Sequence, residues 1–140
     1  MRANELINIP LGEKVYGIEI FHDNSTDLVA VGLKNTIVIY QIGFNENDPT
    51  SDKIQTHVIQ AINHDSTVHA MAWSPTTNLS VAPRFYKIAT SGSDHNLRLF
   101  SSDLSGQNNT LRVLRGHRDY INSIVFHPGE EGGQIGKRNF

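Results

Sequence analysis

The sequence predicts an all-β chain of repeated antiparallel units, and three observations carry that prediction: side-chain branching, run length and an internal period. Valine and isoleucine number 23 against ten leucines and seven alanines, a bias toward β-branched side chains that lose χ1 freedom in helices and pack well on a pleated surface. The apolar runs are four to eight residues long, and none continues at helical spacing. The runs also recur in a fixed order along the chain.

In chain order they are Val15–Phe21, Leu28–Leu33, Thr36–Ile42, Thr56–Ile62, Val68–Trp73, Lys87–Thr90, Leu97–Phe100, Leu111–Leu114 and Ile121–Phe126. Each reads as a strand because its apolar residues cover a strand's length and then stop at turn formers. The stops are His22–Thr26, Asn45–Pro49, Ser91–Asn96 and Ser105–Asn109, rich in residues that accept left-handed geometry or bond their own backbone. A series of hairpins follows. Trp73, the single tryptophan, lies on one of these strands and is expected in the core.

Superposing Val15–His22 on Val68–Pro75 and on Ile121–Pro128 places apolar residues at matched positions one, four and six, with an offset of 53 both times. The dipeptides Asn63-His64 and Gly116-His117 keep the same offset of 53. Val29–Tyr40 matches Ala89–Phe100 at an offset of 60, and the seven extra residues fall in the loop Thr76–Tyr86. A period in this range belongs to propellers built from four-stranded blades. Each unit reads as strand, loop, strand, tight turn, strand ending in an aromatic residue, polar loop and outer strand.

At 140 residues the chain has the length of one ordinary domain, but the repeat divides it otherwise. The expected organisation is an N-terminal extension over 1–14, a degenerate unit over 15–62, a well-formed unit over 63–116, the start of a third over 117–128 and an irregular tail over 129–140. The fold class is thus a partial β-propeller, about two blades plus the first strand of a third. Open edges and unclosed ends make the isolated chain marginal or aggregation-prone in expectation.

The units resemble the WD-repeat family. Gly116-His117 matches its Gly-His dipeptide, Ser91–Phe100 matches its second strand, turn and third strand, and Phe100 or Tyr40 stands where tryptophan is usual. The resemblance implies a hydrogen-bonded network that locks each blade, here His64, Thr90, Asp94 and Phe100, with His117 opening the next unit. A carboxylate beside a neutral imidazole would fix its tautomer while the hydroxyl satisfies the other ring nitrogen. Phenylalanine lacks the indole N–H, so the network is expected to be one hydrogen bond short. Lys34 stands where the aspartate would be in the first unit, which is why that unit reads as degenerate.

Three stretches, Ala72–Pro75, Leu97–Leu104 and Leu114–Pro128, are similar to segments of the WD-repeat nucleoporins of the Y-shaped outer-ring complex of the nuclear pore. That resemblance implies a scaffold at the nuclear envelope, supporting pore assembly and nucleocytoplasmic transport. Its partners would be other nucleoporins, chiefly a large helical-solenoid subunit. The generic repeat alone leaves an alternative: a substrate-recognition propeller of a ubiquitin-ligase or chromatin complex. No motif assigns partner-binding residues; the physical candidates are the long loops Thr76–Tyr86 and Gly43–Gln55.

Other functions find little in the sequence. No catalytic residue is assigned: a triad drawn from Ser93, His117 and Asp119 lacks a nucleophile elbow or an oxyanion-hole segment. No metal is expected, because His57, His64 and His69 have no cysteine or acidic partner at ligand spacing. Arg112, Arg115, His117 and Arg118 form a basic cluster without interleaved aromatics, and 12 Lys+Arg against 14 Asp+Glu give a net charge of −2, so no direct nucleic acid is expected. No apolar stretch approaches a membrane span. No cofactor or small-molecule substrate is implied, and the absence of cysteine suits a reducing compartment.

Overall fold

The computed structural model describes residues 10–23, 26–44, 54–116, 119, 121, 123–127 and 135–138. Ten strands run through them: β1 (Gly17–Asp23), β2 (Thr26–Gly32), β3 (Thr36–Phe44), β4 (Ile54–Asn63), β5 (Val68–Trp73), β6 (Tyr86–Gly92), β7 (Leu97–Ser102), β8 (Thr110–Leu114), β9 (Ser123–Phe126) and β10 (Ile135–Arg138). No helix occurs among the described residues. The first nine strands fall on the nine apolar runs. β1 to β4 form one antiparallel four-stranded sheet in sequence order, β5 to β8 a second, and β9 pairs with β10.

The first strands of the three units lie side by side, β1 against β5 and β5 against β9. This is the layout of propeller blades, with innermost strands gathered at the axis and each sheet stacked face to face on the next. A central apolar cluster fills the space between the two sheets: Leu28, Ala30, Ile37 and Ile39 from the first meet Met71, Trp73, Ile88 and Phe100 from the second. The other face of the second sheet, with Ala89 and Leu97, packs on Ile121, Ile124 and Phe126. Fully burying one such aliphatic or aromatic side chain stabilises by roughly 1.5–3 kcal/mol, so the interfaces between sheets hold the stack together.

Cross-sheet ties fix the stacking. The Trp73 indole N–H donates to the Glu19 carbonyl at 3.1 Å, and the Tyr86 hydroxyl donates to Gln60 Oε1 at 2.5 Å. Gly32 is required by close approach, because a Cβ there would stand 2.7 Å from Val68 Cγ1. A bulge opposite Ile39 and Tyr40 shifts the register of β4, which otherwise ends the first sheet as a long edge.

Two expectations are corrected. Residues 129–140 were expected to be irregular, yet Ile135–Arg138 pairs in antiparallel register with β9, from Ile135 opposite Phe126 to Arg138 opposite Ser123. Short strands are decided by the partner edge that offers N–H and C=O groups rather than by local pattern, and Ile-Gly-Lys-Arg has no local pattern to read. Among the described residues the third unit thus contributes a strand pair. The second correction concerns alignment. Ile20 pairs with Val29 and Trp73 with Ile88, so β2 and β6 superpose at an offset of 59, not 60. Val29 then pairs with Tyr40 and Ile88 with Phe100, which restores 60 in the third strands. The extra residue lies in the turn of the second unit, and the slip matters because one residue along a strand exchanges its two faces.

Candidate functional site

The predicted network centres on the link between the sheets. After β4 the chain turns through His64 and Asp65, whose φ of 59° lies in the left-handed region, and enters β5. His64 is buried between Thr90 on β6 and the ring of Phe100 on β7. Burial holds its pKa below the ordinary histidine value; the Ser66 hydrogen bond opposes that and the nearby Arg98 charge adds to it. In the neutral ring Nδ1–H donates to the Ser66 carbonyl at 2.6 Å, and Nε2 accepts from the Thr90 hydroxyl at 2.7 Å. Both ring nitrogens and the hydroxyl are thereby satisfied inside the protein.

Asp94 stands elsewhere than the carboxylate–imidazole pairing requires. Its carboxylate takes a two-pronged contact from Arg98, Nη1 to Oδ1 at 2.9 Å and Nη2 to Oδ2 at 2.5 Å, and closes the turn by accepting from the Asn96 backbone at 3.2 Å. These bonds, Arg98 foremost, hold the Asp94 pKa down at about 2. The position beside His64 Nδ1 belongs to a backbone carbonyl, because a carbonyl two residues on reaches the ring at no cost in buried charge. The two halves are joined through Ser66: its hydroxyl meets Ser93 Oγ at 3.1 Å and accepts from the Asp94 backbone N–H at 3.4 Å. Gly92 makes room, since a Cβ there would stand 2.3 Å from Ser66 Oγ. Phe100 contributes packing only, its ring 6.1 Å from that of His64. His117 lies outside the described residues.

Sequence reasoning missed Ser66 and Arg98. The signal for Arg98 was present, four residues beyond Asp94 and on a strand leaving the same turn; Ser66 carried none. It also missed Ser91, which is fully buried, accepts from the Ala70 N–H at 3.0 Å and donates to the Ile121 carbonyl at 2.9 Å, tying the second sheet to the third unit.

The corrected register reveals the counterpart of this network in the first sheet. Val31 and Tyr40 occupy the positions of Thr90 and Phe100, and Leu11, 53 residues before His64, packs against the cluster that they form with Leu33. Where the second unit has a hydrogen-bonded histidine, the first has an apolar cluster.

Of the candidate docking loops, residues 45–53 of Gly43–Gln55 lie outside the described residues. The loop Thr76–Tyr86 is tied down at its base: buried Asp23, at the end of β1, accepts from the Leu79 N–H at 2.9 Å and from the Ser80 hydroxyl at 3.1 Å. Asn78 and Phe85 bridge across it, and the tip from Val81 to Arg84, which contains a cis Ala82–Pro83 bond, is exposed. At the axis a groove between the innermost strands is lined by Ile18, Glu19, His69, Met71 and Ser123. Burial raises the Glu19 pKa. Among the described residues no three His, Asp or Glu side chains gather as metal ligands, and no helix is long and apolar enough to cross a membrane.

The chain matches the model of the WD domain, G-beta repeat, over residues 55–101 and 108–131. It is 39% identical over 107 residues to Nucleoporin Nup37 of Mus musculus, covering 76% of this chain and 32% of that protein. To Nucleoporin Nup37 of Homo sapiens it is 39% identical over 112 residues, 80% of this chain and 34% of the relative. The protein of that name in Drosophila melanogaster is 31% identical over 120 residues, 84% of this chain and 37% of its own length. The chain thus spans about a third of the length of the curated relatives it matches.

Proposed function

Because this chain belongs to the WD domain, G-beta repeat family, we propose that it serves as a protein-interaction scaffold of the nuclear pore complex rather than as an enzyme. The observation that carries the reading is its 39% identity to Nucleoporin Nup37 over about four-fifths of the chain. In the finer form of the proposal its place is the Y-shaped outer ring, its role the support of pore assembly and nucleocytoplasmic transport, and its main partner a helical-solenoid nucleoporin. The organisation proposed with it is an extension over 1–14, a degenerate blade over 15–62, a second blade over 63–116 and the start of a third at 117–128.

Within that scaffold His64, Thr90, Asp94, Phe100 and His117 are proposed as structural residues. A neutral histidine whose two ring nitrogens are both engaged, one by a carbonyl and one by a hydroxyl, orders a turn. The partner surface is proposed at the exposed tip from Val81 to Arg84, a hydrophobic and cationic patch on a base anchored by Asp23. Expressed with a fluorescent tag, the chain should mark the nuclear rim and co-purify with outer-ring nucleoporins. Diffuse signal and purification without any nucleoporin would overturn the reading.

A further inference from the structure

Between the outer strands of the first two units runs a groove that both units build. One part, about 250 Å³, lies between β4 and β8 with Asn63 and Leu111 on its walls; the other, about 320 Å³, reaches Arg84 and Leu104. Gln60 and Asn109 line both, so the two parts are continuous. The β4 bulge shapes one wall. Ile39 pairs with Gln60 and Tyr40 with Val58, which makes Ile59 the extra residue; it packs on the central cluster while Gln60 reaches across to Tyr86. β4 is the last strand of its sheet, so a row of its backbone N–H and C=O groups has no strand partner among the described residues. From Val58 to Asn63 that edge is about 16 Å long, the reach of roughly five extended residues.

The side-chain amides of the groove share one property. Gln60 Oε1 accepts from the Tyr86 hydroxyl, Asn109 Oδ1 from the Ser102 hydroxyl and Asn63 Oδ1 from the Asp65 N–H. Each amide thus spends its oxygen inside the protein and keeps its NH2 group without a partner among the described residues. The hydroxyls of Ser101 and Thr110 are bonded to each other. Arg84 adds a positive charge that forms no ion pair among the described residues, and no acidic side chain lines the groove. Asp103, in the adjoining turn, has its carboxylate committed to the Ser105 N–H at 2.9 Å and to Asn108 at 2.6 Å. What the groove still offers is three neutral donors and one cation, a set that matches acceptor oxygens and negative charge.

We propose that this groove binds an extended acidic segment of a partner protein. The segment's backbone runs along the edge of β4, a carboxylate meets Arg84, and carbonyl or carboxylate oxygens take the NH2 groups of Gln60, Asn63 and Asn109. Main-chain pairing supplies affinity and alternate side chains supply selectivity, as in other strand-addition sites. Apolar side chains of the segment lie against Leu104 and against Leu111, which is 55% exposed. The inference rests on the reading of the Val81–Arg84 tip as a partner surface, which it extends inward from Arg84 and to which it gives a ligand chemistry.

An array of short peptides alternating Val, Leu or Tyr with Asp or Glu, beside copies carrying Asn or Gln instead, tests this with the whole purified chain at neutral pH. Acidic peptides should bind, and their amide copies at least about tenfold more weakly. Arg84→Ala should weaken the acidic peptides by about tenfold or more, the loss of one charged hydrogen bond. Gln60→Glu and Asn109→Asp keep the oxygen that takes the internal hydrogen bond and replace the NH2 group by a second acceptor. Each should weaken binding about threefold to tenfold, with circular dichroism showing a folded chain. Lys14→Glu, a charge reversal ahead of the innermost strand β1, should leave binding unchanged. A silent array, binding that ignores the exchange of acid for amide, or an Arg84→Ala chain that binds like the wild type overturns the proposal. So does oligouridylate that displaces the peptides and itself loses affinity in Arg84→Ala, since the groove would then serve RNA. Co-purification from cells separates this outcome from the nuclear-pore reading. If the wild type and Gln60→Glu recover outer-ring nucleoporins alike while the array is silent, the groove fails and that reading stands; acid-dependent binding without any nucleoporin recovered does the reverse.

Discussion

The two sheets solve one packing problem with opposite chemistry. In the second, a buried imidazole is held between a carbonyl and a hydroxyl; in the first, Leu11, Val31 and Tyr40 fill equivalent positions with carbon alone apart from one phenol. A satisfied buried polar network orients its members because few arrangements satisfy every donor and acceptor, whereas an apolar cluster stabilises without fixing orientation. The polar version sits where two faces are covered, in the middle of the stack. The apolar version sits in the sheet whose Ile18 and Ile20 are exposed. Unpaired polar groups would cost most where a neighbour closes over them, so the interior sheet is the one that needs its lock complete.

The comparison is broken most severely by His64→Ala, which leaves a void and strands both the Thr90 hydroxyl and the Ser66 carbonyl. Urea unfolding should show a loss of about 3 kcal/mol, against about 1 kcal/mol for Leu11→Ala, whose side chain is only half-buried. Equal losses would mean that the two clusters are energetically alike.

Next comes Thr90→Val, which puts the first sheet's residue into the second. It removes the donor to His64 Nε2 and should cost about 1–2 kcal/mol. Adding His64→Leu should cost less than the sum of the separate changes, with a coupling of at least about 0.5 kcal/mol in a double-mutant cycle. Strict additivity would show the pair to be uncoupled. The reciprocal Val31→Thr buries a hydroxyl among apolar neighbours and should cost about 1 kcal/mol by the same measurement.

Asp94→Asn tests the outer half of the network. The carboxylate is partly exposed, so the loss should be about 1 kcal/mol or less at neutral pH. The stabilisation that Asp94 gives is present above its unfolded pKa near 3.8 and is lost as pH falls through about 2, so the variant should unfold with a shallower dependence on pH in that range. An unchanged acid limb would remove Asp94 from the account.

The smallest effect expected is a slope. His64 has a folded pKa below its unfolded value near 6.5, so between the two values the unfolded chain binds more protons and stability falls with falling pH. The loss begins as pH drops below about 6.5 and is complete once pH passes the folded value. Hydrogen exchange of β6 and β7 should quicken across that interval relative to β2 and β3. The pair His64→Leu with Thr90→Val should abolish the difference. Equal quickening in both sheets of the wild type would place the titrating group elsewhere.

Nine strands were legible because each run of Val, Ile and aromatic residues is bounded by its own turn chemistry. β10 was not, since Gly136 and Lys137 acquire strand geometry only from the edge of β9. The repeat was legible as a period, but its register within β2 and β6 was ambiguous by one residue: Val29–Gly32 and Ala89–Gly92 both end in glycine, and that coincidence drew the alignment one place off. Cross-strand pairing removes the ambiguity. At the candidate site, His64, Thr90 and Phe100 could be placed by pattern because side-chain type identifies them. Ser66 could not, because what it gives to His64 is a carbonyl, which every residue possesses.

Asp23 carries a consequence for the order of events at the ribosome. Its two oxygens are claimed by Leu79 and Ser80, 56 and 57 positions later in the chain. During synthesis, β1 and β2 can pair as soon as they emerge, yet Asp23 must wait in water until Ser80 has followed them out. The first hairpin is thus made early and sealed late, by a segment of the second blade. A pause in translation that keeps Leu79 and Ser80 inside the exit tunnel should leave that hairpin open to exchange at Asp23, and their emergence should close it.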